Sequence, residues 1–456
     1  MARIVIVGAG GYVFPLRLIG DLLSFPALRG STLALMDVDP GRLERTTAAA
    51  RALVAHHGFP TEIEATTSRR RALENADYVI VTFQVGGLEA YRLDVEIPRR
   101  YGLDQTVGDT LGPGGVFRFL RSAPAYRAIA ADIADLCPGA LLINYANPMA
   151  MSCWYLDALG VRTVGLCHSV QGTSRMLARQ IGVPYEEVRF LCGGINHQAW
   201  FLRFERGGEQ GEDLYPRLRE TMARRHLAGS NLAGLASDRG EHSEADRGDS
   251  DYEGGAERVR TEIMAAFGFF HTESSHHASE YLPWFRKTPA MVDEMIPSRW
   301  DYYEVCAAHD AEEQTGRLLE RLKGELAPSL EYGARIVYAM ETGEPTTIHG
   351  NVANRGLIPN LPDGCCVEVP CLVDGIGVRP TAVGPLPPQC AAINRTNVNV
   401  QELAVVAALE ENVDHVRHAV ALDPLTGTLL TLGQARAMVD EMLAAEAEWL
   451  PGWARA

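Results

Sequence analysis

Through about the first two hundred positions, short apolar runs alternate with longer stretches of helical composition; the second half loses that alternation. The runs Ile4–Val7, Leu33–Met36, Tyr78–Phe83, Leu141–Asn144 and Thr163–Leu166 are apolar on both sides of the pleat, as strands buried on both faces must be. Between them, Arg42–His57 and Phe117–Cys137 have helical composition. This alternation predicts an α/β fold, a Rossmann-type doubly wound parallel sheet covered on both faces. It is assigned to residues 1–195, and residues 196–456 to a mixed α+β domain for substrate binding and oligomerisation. From Ala228 to Glu257, Gly, Ser, Asp and Glu crowd out any apolar period, which predicts a flexible loop near 228–257. Helical composition returns at Arg258–Phe267, Glu312–Thr342 and Asn399–Val416, while Gly350–Val383 reads as short strands and turns.

Composition narrows the partners. A chain of 456 residues is long enough for two lobes, and 46% hydrophobic with 22% charged residues is the mixture of a folded soluble protein. With 42 Lys+Arg against 58 Asp+Glu the net charge is -16, which repels a phosphate backbone and argues against nucleic acid. No run approaches the roughly 18 apolar residues of a membrane span, and the chain opens on a strand, so a cytoplasmic location is expected. Nine cysteines, an odd and scattered set, read as reduced thiols, some available as ligands.

Candidate chemistry clusters where strands end, the place an open α/β sheet binds ligands. Gly8, Gly10 and Gly11 form a tight turn after the first strand, followed by Phe14 at a helix start, the arrangement that lets a backbone approach a pyrophosphate. Asp37 ends the second strand, where a carboxylate meets ribose hydroxyls and favours NAD over its 2′-phosphorylated relative; it lies further on than the roughly 20 residues of a minimal motif. The same glycines could serve packing alone. Asp109 and Thr110 stand at the mouth of the glycine-rich turn Gly108–Gly115. Pro148 disfavours a helical Asn147 and leaves that amide free for a ligand. Cys167 and His168 end the fifth strand, and His197 follows some thirty residues on. A thiolate and an imidazole meeting in one crevice would bind a divalent transition metal, although either alone is as well explained as a buried structural group.

Taken in order, Gly8-Ala9-Gly10, the Asp109 turn, Asn147-Pro148-Met149, Cys167-His168-Ser169-Val170 and Gly194-Ile195-Asn196-His197 make the chain resemble glycoside hydrolase family 4. The likeness includes Thr272-Glu273-Ser274-Ser275, Gly350-Asn351-Val352 and Leu450-Pro451-Gly452-Trp453, and the Cys-His-Ser-Val form is similar to the α-galactosidase branch. That resemblance implies a redox route to glycoside cleavage: NAD+ takes hydride from C3, a base removes the C2 proton, the C1–O bond breaks by elimination, water adds and the hydride returns. It implies NAD bound by Gly8, Gly10, Gly11, Phe14, Asp37 and Asn147, and Mn2+ bound by Cys167 and His197. Asn147 would also hold sugar hydroxyls, and His168 would protonate the leaving oxygen. Glu262 is the first candidate for the C2 base, with Asp109 and Tyr252 as rivals. The expected substrate is an α-galactoside, and a homodimer or homotetramer is expected. Arg92 or Arg286 could pair with a C6 carboxylate, which keeps an α-glucuronide or α-galacturonide, and with them an α-glucoside, as alternatives.

Two other classes share the glycine turn. An NAD-dependent dehydrogenase of a hydroxy acid or polyol would release stoichiometric NADH, and a nucleotide sensor would turn nothing over.

Overall fold

The computed structural model describes residues 1–11, 13–207, 211–227, 257–297, 299–308 and 311–455. The loop expected near 228–257 therefore lies, except for Glu257, outside the described residues. Strands β1 (Arg3–Val7), β2 (Thr32–Met36), β3 (Glu62–Thr66), β4 (Tyr78–Val81), β5 (Leu141–Asn144) and β6 (Thr163–Gly165) pair in parallel in the order β3-β2-β1-β4-β5-β6. The strand order reverses beside β1, so the Gly8 turn opens at the switch point where such sheets bind ligands. The doubly wound sheet expected from the apolar runs is present. β3 escaped that reading because its sequence, Glu62-Ile63-Glu64-Ala65-Thr66, lies at a sheet edge and buries no residue fully.

The remaining strands extend the same sheet. β7 (Val188–Ile195) and β8 (Gln198–Arg206) form a hairpin, β9 (Glu212–Asp213) pairs with β8, and β10 (Phe270–His271) closes that edge. β11 (Thr346–Ala353), β12 (Cys366–Asp374) and β13 (Gly377–Pro380) form an antiparallel set. Asn351 on β11 pairs with Gly165 on β6, and Glu368 on β12 with Gly194 on β7. One sheet thus runs from β3 to β10, and the β7–β8 connection holding His197 comes beside Cys167, two residues beyond the end of β6.

The C-terminal helices Pro388–Glu410, Val413–Leu422 and Leu432–Ala445 pack back on helices Gly87–Arg100, Gly112–Leu136 and Met149–Ala158. Their seam contains a fully buried ion triad: Arg121 donates to Asp94 at 2.8 and 2.6 Å and to Glu446. Burial, and then the neighbouring Asp94, hold the Glu446 carboxyl well above the usual range. Removing the one cation leaves buried carboxyls without a counter-charge. Arg121→Met is therefore expected to lose about 3–5 kcal/mol of stability, read as a lower denaturant midpoint; an unchanged midpoint would show that the triad does not anchor the C-terminal helices.

Candidate active site

Val7 hands the chain to a turn that has no room for side chains. A Cβ on Gly8, whose φ is +93°, would lie 2.6 Å from the Phe83 backbone nitrogen, and one on Gly10 would lie 2.7 Å from the Asp37 carboxylate. Gly11 is less constrained, its nearest neighbours being 3.4 Å away. Asp37 stands at the end of β2 as expected, and it also braces the turn: Gly10 N–H donates to Oδ2 at 2.8 Å and Asp39 N–H to Oδ1 at 2.9 Å. Helix Phe14–Ser24 follows without a side-chain cap at its N-terminus, and with Pro15 carrying no N–H, Phe14 and Leu16 supply the N–H groups of its first positions at the same end of the sheet. Phe14 packs edge-on against Tyr145, ring centroids 5.0 Å apart.

Three segments meet beyond β6. Cys167 Sγ lies 3.2 Å from His197 Nε2, and His197 Nε2 lies 3.4 Å from Glu273 Oε2. One ligand atom from each of these buried residues falls within 4.8 Å of the other two. His197 and Glu273 both have positive φ, 60° and 74°, a conformation that costs a non-glycine residue about 1–3 kcal/mol and is typically retained where side chains must converge. Tyr281 Oη stands 3.2 Å from His197 Nδ1, which engages that nitrogen and leaves Nε2 for the cluster.

The electrostatics fit a cation. Burial opposes ionisation of Glu273, yet His197 and His277 outweigh it and hold the carboxyl below its usual range. Burial pushes the Cys167 thiol up, with His168 pulling it partway back. A divalent ion would reverse that balance, since a coordinating thiol is deprotonated outright. The soft, borderline and hard donors together suit a divalent transition metal. Around them, both amide atoms of Asn196 and both carboxyl oxygens of Glu368 are buried without a hydrogen-bond partner, polar capacity that a dry core does not keep.

A second network shapes the Asp109 turn. Glu280 accepts from the backbone N–H of Val107 at 2.8 Å and of Gly108 at 3.1 Å, and from Thr106 Oγ1 at 2.9 Å. Burial opposes its ionisation, but His277, 2.9 Å away, and Arg286 bring its pKa down to about 2. His277 reaches Thr110 Oγ1 at 3.2 Å through its other nitrogen, and Thr110 donates to Asp109 at 2.6 Å. Asn147 Nδ2 lies 3.4 Å from Asp109 Oδ2, so these two expected residues do meet. The Asn147–Pro148 peptide is cis.

His168 pairs with Glu331, Nδ1 to Oε1 at 3.1 Å, with the His168 side chain 52% exposed and Glu331 at 10%. The Glu331 charge raises the His168 pKa well above its ordinary value.

Three expectations are corrected. Glu262 is exposed on helix Arg258–Phe267, whose buried positions are Val259, Arg260, Thr261, Ile263 and Met264, so it points away from the cluster. Arg92 pairs with Glu96 one turn along its own helix at 2.6 Å, the ordinary fate of a half-exposed helical arginine. Arg286 is buried and donates to Ser279 Oγ, Asp104 O, Thr106 Oγ1 and His276 O, which engages four of its five N–H groups within the protein. Tyr252 lies outside the described residues. Sequence reasoning missed the roles of Glu273, Glu331, His277, Glu280 and Tyr281. The run Thr272-Glu273-Ser274-Ser275 was a signal for the first, but nothing in its spacing tied it to Cys167.

A family model described as Family 4 glycosyl hydrolase matches residues 3–183, and one described as Family 4 glycosyl hydrolase C-terminal domain matches residues 192–426. The chain is 36% identical to an α-galactosidase of Bacillus subtilis (strain 168) over 457 residues, covering 99% of each. It is 37% identical to an α-galactosidase of Rhizobium meliloti (strain 1021) over 473 residues, covering 100% of this chain and 90% of that one. Among solved structures, a 6-phospho-α-glucosidase from gut microorganisms in complex with NAD and Mn2+ shares the fold, with a TM-score of 0.78, 20% identity and 99% of each chain covered.

Proposed function

The chain belongs to glycosyl hydrolase family 4, and from that premise we propose that it hydrolyses α-galactosides with NAD+ and a divalent metal, Mn2+, bound at the carboxyl ends of β1 and β6. The observation that carries this reading is the convergence of Cys167, His197 and Glu273 at the same end of the sheet that bears the Gly8 turn. When bound, the dinucleotide supplies a reversible hydride acceptor and the metal a Lewis acid for the C2 and C3 oxygens of the sugar.

The residues of the chain divide the rest of the work. Gly8, Gly10 and Gly11, with the open helix start at Phe14, would receive the pyrophosphate, and Asp37 the ribose. Cys167, His197 and Glu273 would hold the metal. Asn147 would orient sugar hydroxyls, and Asp109, beside it, would take the proton from C2. His168, half-exposed and held by Glu331, would deliver a proton to the leaving oxygen. With Arg92 and Arg286 both engaged elsewhere, neither supplies the carboxylate partner that a uronide reading drew on, and the neutral sugar is favoured.

Residues 1–195 would serve the dinucleotide, and residues 196–456 the substrate and a homodimer or homotetramer contact. Among the described residues no helix is long and apolar enough to cross a membrane, and the nine cysteines are free thiols, which supports a reducing cytoplasm. The test is nitrophenol release from α-galactoside, α-glucoside, α-glucuronide and α-galacturonide substrates, with NAD+, Mn2+ and thiol omitted in turn. α-Galactoside cleavage that needs all three and yields no net NADH is expected. Stoichiometric NADH from a free polyol or hydroxy acid, without glycoside cleavage, would overturn the reading.

A further inference from the structure

A band of aromatic rings adjoins the Asp109 turn and takes no part in the roles described above. Arg118 lies 3.7 Å from Asp109 Oδ2, with its guanidinium 5.6 Å from the centroid of the Tyr91 ring. Tyr91 meets Tyr302 edge-on with centroids 6.3 Å apart, and Tyr302 meets Trp300 at 6.3 Å and 73°. Trp300 in turn stacks on His276 at 4.8 Å and 26°. Tyr91 and His276 are buried, whereas Trp300 is half-buried and Tyr302 is 39% exposed, so the last two present ring surface outward.

The outer rings are fixed to the catalytic turn. Tyr302 N–H donates to Thr106 O at 2.8 Å, three residues before Asp109. Arg299 bridges Asp104 and Asp301 at 2.8 Å each, tying the start of this segment to the loop leading into the same turn. An indole and a phenol held rigidly at the edge of a polar site form a surface with an apolar face and a wet rim. A pyranose ring has the matching chemistry, with C–H groups on one face and hydroxyls around its edge.

Resting on the α-galactosidase reading above, we propose that Trp300 and Tyr302 form the subsite for the leaving sugar, a second hexose ring linked to the galactosyl unit. The occupant follows from continuity: a ring attached through the scissile oxygen extends outward from the Asp109 and Asn147 end of the site, and Arg118 and Tyr91 join Asp109 to these rings. Such a platform acts on substrates with a sugar leaving group and is irrelevant to one whose leaving group is a single atom.

The test compares a galactosyl-α-1,6-glucose disaccharide with α-galactosyl fluoride, using full-length protein with NAD+ and Mn2+. Trp300→Ala is expected to lower kcat/KM for the disaccharide about tenfold, mainly through KM, with fluoride turnover unchanged. Trp300→Leu, which keeps apolar bulk without the flat ring, is expected to show the same selectivity if the alanine variant folds poorly. A fall of equal size on both substrates, or a shift in oligomeric mass, identifies the rings as structural or as a subunit contact and overturns the subsite; so does no change on either. Wild-type protein that cleaves neither substrate would instead sink the α-galactosidase reading, and the subsite with it.

Discussion

Cys167→Ser is expected to lose about a thousandfold or more of turnover on an α-galactoside while NAD+ binding stays within about threefold of wild type. Cys167 Sγ sits 3.2 Å from His197 Nε2 in a buried cluster with Glu273, and a serine hydroxyl there would be a shorter, harder donor that stays protonated. The Gly8 turn lies at the end of β1, and Asp37, not Cys167, braces it, so the dinucleotide contacts survive the change. Turnover at saturating Mn2+ and equilibrium NAD+ binding check both halves. Activity within tenfold of wild type would mean that the sulfur is not a ligand.

Glu273→Gln carries the second large effect. The amide keeps the shape and the backbone turn but removes the negative charge that faces His197 at 3.4 Å. Mn2+ affinity is expected to fall by at least about 10- to 100-fold, the loss that follows when even an outer partner of a metal ligand is removed, and raised Mn2+ should restore much of the activity. Loss of kcat that excess Mn2+ leaves untouched would instead make Glu273 a proton-transfer group.

These two residues mark how far the sequence could be read. Cys167 follows an apolar strand buried on both faces, and such strands announce themselves, as do the glycine turn and Asp37. Glu273 follows a strand of only two residues, Phe270–His271, too short for any periodicity, and its left-handed backbone has no sequence signature outside glycine. Glu331 precedes helix Tyr332–Thr342, which the helical stretch Glu312–Thr342 had concealed; Pro328 was a legible sign of the break before it. β7 carries Gly193-Gly194, which weakens a strand pattern, so the hairpin presenting His197 was found through its motif and not its texture. Arg286 illustrates the opposite error: a basic side chain near a site looks free in sequence, yet four acceptors already surround it.

The most direct test of oxidative cleavage at this site is hydrolysis in deuterated water with NAD+ and Mn2+ present. If Asp109 removes the C2 proton during turnover, the released galactose should carry deuterium at C2 and the C2-deuterated substrate should react more slowly. Galactose released without label at C2, at a rate independent of NAD+, would contradict it.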